Sequence, residues 1–229
     1  MADEIETLAR PGRGEVTHQE PTRLQQTVVR RMAESKATAP DFSLSVAVDM
    51  EPLAGRDHAP YVIRAAALAL RDFPRANGAY RDGRFELYSR VNVGVALAGQ
   101  DTLVVPTIFD ADRKGVDAIA RELESLTARV RAGEITPPEL SAGTFTVLDL
   151  GAYGMRRVTP VINPPQAAIL GVGEVAPRAV VRDGAVVARH VVELTLVADH
   201  RILYGAEAAA FLARIREHLE APQGPRTPR

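Results

Sequence analysis

The sequence contains no cysteine, which excludes disulfides, thiolate metal sites and a cysteine nucleophile. It also lacks net charge: 28 Lys and Arg stand against 29 Asp and Glu, for a formal −1. Without a basic field, a nucleic-acid or anionic-membrane partner is not favoured. No apolar run is long enough to span a bilayer, and stretches such as RAAALALRDF are short and interrupted. The opening MADEIETLARPGRGEVTHQEP is acidic and polar with no apolar core, so it does not read as a signal peptide. Also missing are a Gly-rich phosphate loop ahead of a helix, a metal-spaced His pair and a G-x-S-x-G turn. These absences lead to the expectation of a cytoplasmic protein with no metal and no permanently bound cofactor.

What is present is ordinary for a globular chain of 229 residues: 46% hydrophobic and 25% charged. Residues 1–20 carry Pro11, Gly12 and Gly14 with little apolar periodicity and read as a flexible arm. A first helix is expected where Leu24, Val28, Met32 and Ser35 share one side, ending at Pro40, and FSLSVAVDME then alternates as a strand. APYVIRAAALALRDFPRANGAY predicts a second helix closed by Pro74 and Asn77-Gly78. Asp82-Gly83 marks a hairpin turn. TLVVPTIF reads as one strand. GVDAIARELESLTARVRAGEI is the strongest helical pattern, with Ile119, Leu123, Leu126 and Val130 on one side and Gly133 at its end. Strands follow at GTFTVLDL and AAILGVGEV, then a hairpin over Asp183-Gly184, a strand through VVELTLVAD, and a final helix over 205–220. The fold class expected is α+β, a two-layer αβ sandwich with helices on a mixed, largely antiparallel sheet. One domain covers 21–221, and 222–229 forms a polar, proline-rich flexible tail.

Of the five histidines, His18, His58, His190 and His218 read as surface or packing residues. The glycines of GVGEV, inside a strand pattern, read as close packing at a bend. His200 is placed differently. It follows an apolar strand, stands between Asp199 and Arg201, and precedes a glycine-opened helix, a junction that presents side chains into clefts. By residue chemistry alone it could be a base, a ligand or a buried hydrogen-bonding group.

The segment DHRILYGAEAAAFLARIREHLE resembles the C-terminal signature of the acyltransferase cores of 2-oxo acid dehydrogenase complexes, relatives of chloramphenicol acetyltransferase that carry H-x-x-x-D-G. RRMAESKATAPDFSLSVAVD, FPRANGAYRDG, VNVGVALAGQDTLVVPTIFDADRKGVDAIARELESLTARVRAGEITPPEL, GTFTVLDLGAYG and TPVINPPQAAILGVGEV are similar to the same family in the same order, over essentially residues 21–220. The resemblance implies a chloramphenicol acetyltransferase-like, CoA-dependent acyltransferase fold. It implies a homotrimer with active sites between subunits and acetyl-CoA as co-substrate. It also makes His200 the general base that deprotonates the acceptor as it attacks the thioester carbonyl, a role suited to a neutral imidazole.

Three departures modify that expectation. The Asp of H-x-x-x-D-G is Tyr204, and its expected arginine partner, seven residues before Met32, is Gln25. Either these two neutral side chains approach each other, or Tyr204 reshapes the channel. The hydroxyl that the family uses for the oxyanion is replaced by Leu148, with Thr146 nearby on the same strand face. The usual PHF is PDF, placing Asp41 near the acceptor side. With only about twenty loose residues before the core and APQGPRTPR after it, the expected protein is a free-standing trimer. Its first reading is an O-acetyltransferase acting on a small-molecule or carrier-bound alcohol, resembling lipoyl-less members of tetronate polyketide pathways. The alternatives are a dihydrolipoamide acyltransferase core served by a lipoyl domain in trans, or an inactive trimeric scaffold.

Overall fold

A computed structural model describes residues 6–10, 14–99 and 102–222. In chain order the elements are β1 (Glu6–Arg10), β2 (Gly14–His18), α1 (Arg23–Thr38), β3 (Asp41–Asp49), α2 (Ala59–Asp72), β4 (Gly78–Arg81) and β5 (Arg84–Leu87). Next come β6 (Val93–Val95), β7 (Leu97–Ala98), β8 (Leu103–Val104), β9 (Thr107–Ile108), α3 (Val116–Ala132), α4 (Pro137–Ser141) and β10 (Phe145–Asp149). The chain closes with β11 (Ala168–Val172), β12 (Ala176–Arg182), β13 (Ala185–Asp199) and α5 (Gly205–Glu220).

The central sheet runs β12-β13-β11-β10-β6-β9, with β3 also pairing β13. β10 is parallel to both β11 and β6, and the other pairings are antiparallel. This is the mixed, largely antiparallel sheet expected. Alternation divides its residues between two faces. Val147, Leu170, Leu194, Leu196 and Val48 point to one side, where α2, α3 and α5 close the main core. Phe211 of α5 sits at its centre, fully buried and edge-on to both Phe73 and Phe145 at 5.7 Å. Ser43, Ser45, Ala47, Thr195, Val197 and Leu148 face the other side. There Ile162, Ile169 and Val197 form a small second cluster, and Ser35 of α1 donates to the Ile162 carbonyl. Toward the β3 edge of that face Ser43, Ser45 and Ala47 are exposed.

Local rules account for most of the elements. Asp82-Gly83 and Asp183-Gly184 all have positive φ, the geometry of a tight two-residue hairpin turn. Gly133 ends α3 in the left-handed conformation. Gly171 shows why the GVGEV glycines are there: a Cβ would lie 2.6 Å from the Val158 carbonyl. Gly171→Ala is therefore expected to destabilise the fold by about 1–3 kcal/mol, read by denaturant unfolding. Among the described residues, no helix is long and apolar enough to cross a membrane.

Two expectations are corrected. Part of the stretch read as a loose arm is an antiparallel hairpin of β1 and β2, from Glu6↔His18 to Arg10↔Gly14. Its polar, glycine-containing composition hides a backbone ladder, which needs no apolar side chains. TLVVPTIF is two short strands rather than one, because Pro106 offers no N–H to continue a ladder. Residues 223–229 of the expected tail lie outside the described residues, as does the start of the arm at 1–5.

Candidate active site

The loop between β13 and α5 is fixed from below and open above. Ile202 and Leu203 are fully buried and anchor it in the core. Asp199 is buried and accepts the Arg201 backbone N–H at 2.9 Å, Nε at 3.0 Å and a terminal guanidinium nitrogen at 2.7 Å. That bidentate pairing holds the Arg201 guanidinium in its charged form, above its ordinary pKa. The Asp199 carbonyl accepts from the N–H groups of Ile202 and Leu203, tightening the turn. The outward position is left to His200, whose backbone N–H donates to the Pro40 carbonyl at 3.0 Å.

The exposed His200 imidazole stands edge-on between two rings, Phe42 at 4.9 Å and Tyr204 at 5.7 Å. Tyr204 is in turn covered by the Arg75 guanidinium, 5.6 Å from its ring centre. Arg75 also lies over Phe85 and pairs with Glu207. A cation–π contact thus holds the aromatic wall beside the histidine. Sequence reading missed Phe42 and Arg75, since neither stands at a telling spacing.

The other candidates spread out. Gln25 accepts the Thr22 N–H at 2.9 Å and so completes the capping box of α1. Asp41 pairs across the sheet with Asp199, and each carboxylate has its own cation: Lys36 binds Asp41 at 2.7 Å, and Arg201 binds Asp199. Thr146 is buried and its hydroxyl donates to Gln166 Oε1 at 2.6 Å, so that donor is occupied within the chain. Leu148, half-buried, pairs with Gly171, which pairs with Thr195. Thr195 is four residues before Asp199 on β13, which puts Leu148 about 13 Å along the sheet from the histidine end. Within one chain these two positions do not share a substrate atom.

Two of the histidines read as surface or packing residues are engaged, His190 by a 3.1 Å contact from Nδ1 to Glu51 Oε2. His58, at the start of α2, bonds Asp149 Oδ2 through Nε2 at 2.9 Å. That hydrogen bond raises the His58 pKa above its usual 6.5, outweighing burial. A raised base contributes stability that is fully present below about pH 6.5 and is lost as pH rises through the folded-state value. Asp149→Asn keeps an acceptor for the Gly151 N–H. Its melting temperature should fall furthest below that of the unmodified chain near about pH 5.5 and close on it near about pH 9.

The family of 2-oxoacid dehydrogenases acyltransferase (catalytic domain) matches residues 13–225. The acetyltransferase component of the Rickettsia bellii pyruvate dehydrogenase complex is 34% identical over 215 residues, 87% of this chain and 51% of that protein. The chain spans about half the length of the curated relatives it matches. Azotobacter vinelandii dihydrolipoamide acetyltransferase superposes with a TM-score of 0.87 at 27% identity, covering 91% of this chain and 93% of the other. A serine, a histidine and an asparagine were studied in its mechanism, the serine 52 residues before the histidine and the asparagine four after it. The same steps from His200 lead to Leu148 and Tyr204. Chloramphenicol acetyltransferase shares the fold, with a TM-score of 0.57 at 14% identity over 83% of this chain and 94% of that one.

Proposed function

Because this chain belongs to the 2-oxoacid dehydrogenase acyltransferase family, we propose that it moves an acetyl or similar acyl group between coenzyme A and a dihydrolipoyl thiol, with His200 as general base. The observation that carries this reading is the rigid presentation of one exposed imidazole between Phe42 and Tyr204. The neutral imidazole takes the proton of the acceptor thiol as its sulfur attacks the thioester carbonyl. The tetrahedral oxyanion collapses, the C–S bond to coenzyme A breaks, and the leaving sulfur recovers the proton from the imidazolium. No covalent enzyme intermediate forms. The lipoyl group is carried by a separate domain.

The active unit is a trimer. Its support is the separation of Leu148 from His200 along the sheet and the exposed sheet face bearing Ser43, Ser45 and Ala47. Facing copies bring the histidine of one to the Leu148 region of the next. Leu148, where a hydroxyl is expected, and Tyr204 favour a second reading of the same site, with a small-molecule alcohol as acceptor. Incubation with acetyl-CoA and either dihydrolipoamide or a panel of alcohols, including hydroxymethyl tetronates, separates the two by mass spectrometry of the products. Acetyl-dihydrolipoamide supports the first reading and an acetyl ester the second. Neither product from any acceptor contradicts both. Sedimentation is expected to give three times the mass of 24.7 kDa, and a monomer would sink the trimer.

A further inference from the structure

A cavity lies far from His200, among the helices. It encloses about 600 Å³ between the start of α2, the start of α3 and the end of α5, within the range of small-molecule sites. Three guanidinium groups line it, those of Arg56, Arg64 and Arg121, against one carboxylate, Asp117. Arg64 donates to the Lys114 carbonyl and Arg56 to the Tyr61 hydroxyl, both neutral acceptors, while the Asp112 carboxylate lies near enough to Arg64 to act on its charge. Gly115, Val116, Asp117 and Ala118 also line it, and they are the N-cap and first turn of the 17-residue α3. Gly115 has no side chain to cap that turn, so the positive end of the helix opens into the cavity. His218 completes the wall, and its Nε2 is buried without a hydrogen-bond partner.

We propose that this cavity is a second ligand site, binding a small phosphorylated metabolite, a phosphate group with an organic body. The guanidinium groups match phosphate oxygens, and the first-turn N–H groups of α3 add donors. The volume exceeds that of an inorganic phosphate, and the apolar sides of Leu68, Ala65 and Pro52 are available to the remainder. The site is separate from the acyl-transfer centre. His218 is thirteen residues along α5 from Gly205, about 20 Å from the His200 end.

The test uses ADP and inorganic phosphate as probes, by calorimetry on the full chain and on Arg121→Ala. Arg121 is exposed, and its removal should leave folding and acetyl transfer unchanged. ADP should bind more tightly than phosphate, and Arg121→Ala should weaken ADP at least tenfold. The His218 pKa is held below its usual 6.5, first by burial and then by Arg214. Its imidazole NMR titration should move upward when ADP saturates the site. Absence of binding by both probes overturns the proposal. So does ADP affinity that Arg121→Ala leaves unchanged, which would assign the nucleotide to another site such as that of the acyl donor.

Discussion

His200→Ala should lower kcat for acetyl transfer by about 10²–10⁴-fold, the usual contribution of a positioned general base. The expectation rests on the frame around the residue rather than on the histidine alone. The turn is set by the Asp199–Arg201 pair and by the buried Ile202 and Leu203, and the ring is confined by Phe42 and Tyr204. None of the groups that build the turn is removed by the substitution. Because the imidazole is exposed, the melting temperature and the oligomeric state should be unchanged. The substrate KM values should move little, since the lost interaction belongs to proton transfer in the transition state. A variant that keeps more than about a tenth of the rate would remove His200 from the chemistry.

Leu148→Ser should raise kcat, by about tenfold or more. An oxyanion donor is worth about 10²–10³ in rate when it is removed from an enzyme built around it. The gain from restoring one is smaller, because the surroundings have adjusted to leucine. The half-buried side chain of position 148 lies beside Gly171, a residue that sets no side chain of β11 against a serine hydroxyl. Thr146 does not duplicate that role, since its hydroxyl is committed to Gln166. A rate that is unchanged, in a variant that melts normally, would mean that the oxyanion is held by another group.

The sequence made the fold legible where local chemistry dominates. The two Asp-Gly turns, the left-handed Gly133 and the long stripe of α3 each follow from a rule acting over a few residues. The break at Pro106 was equally local, yet the apolar run around it obscured two short strands. The candidate site is legible as a residue, His200, and as a set of replaced positions, Leu148 and Tyr204. Its geometry is not. That Leu148 and His200 stand about 13 Å apart along the sheet depends on strand register, which motif spacing does not carry. The Arg75 contact with Tyr204 joins residues far apart in sequence and of unlike type, and the His58–Asp149 bond joins positions 91 residues apart. Pair contacts of this kind have no periodicity to read.

The most direct test of acyl transfer by His200 is the formation of acetyl-dihydrolipoamide from acetyl-CoA and dihydrolipoamide, followed by mass spectrometry for the unmodified chain and for His200→Ala. The account predicts steady turnover by the first and loss of at least about a hundredfold in the second. Equal rates from both, or no acetylated product from the unmodified chain with either a thiol or an alcohol acceptor, would contradict it.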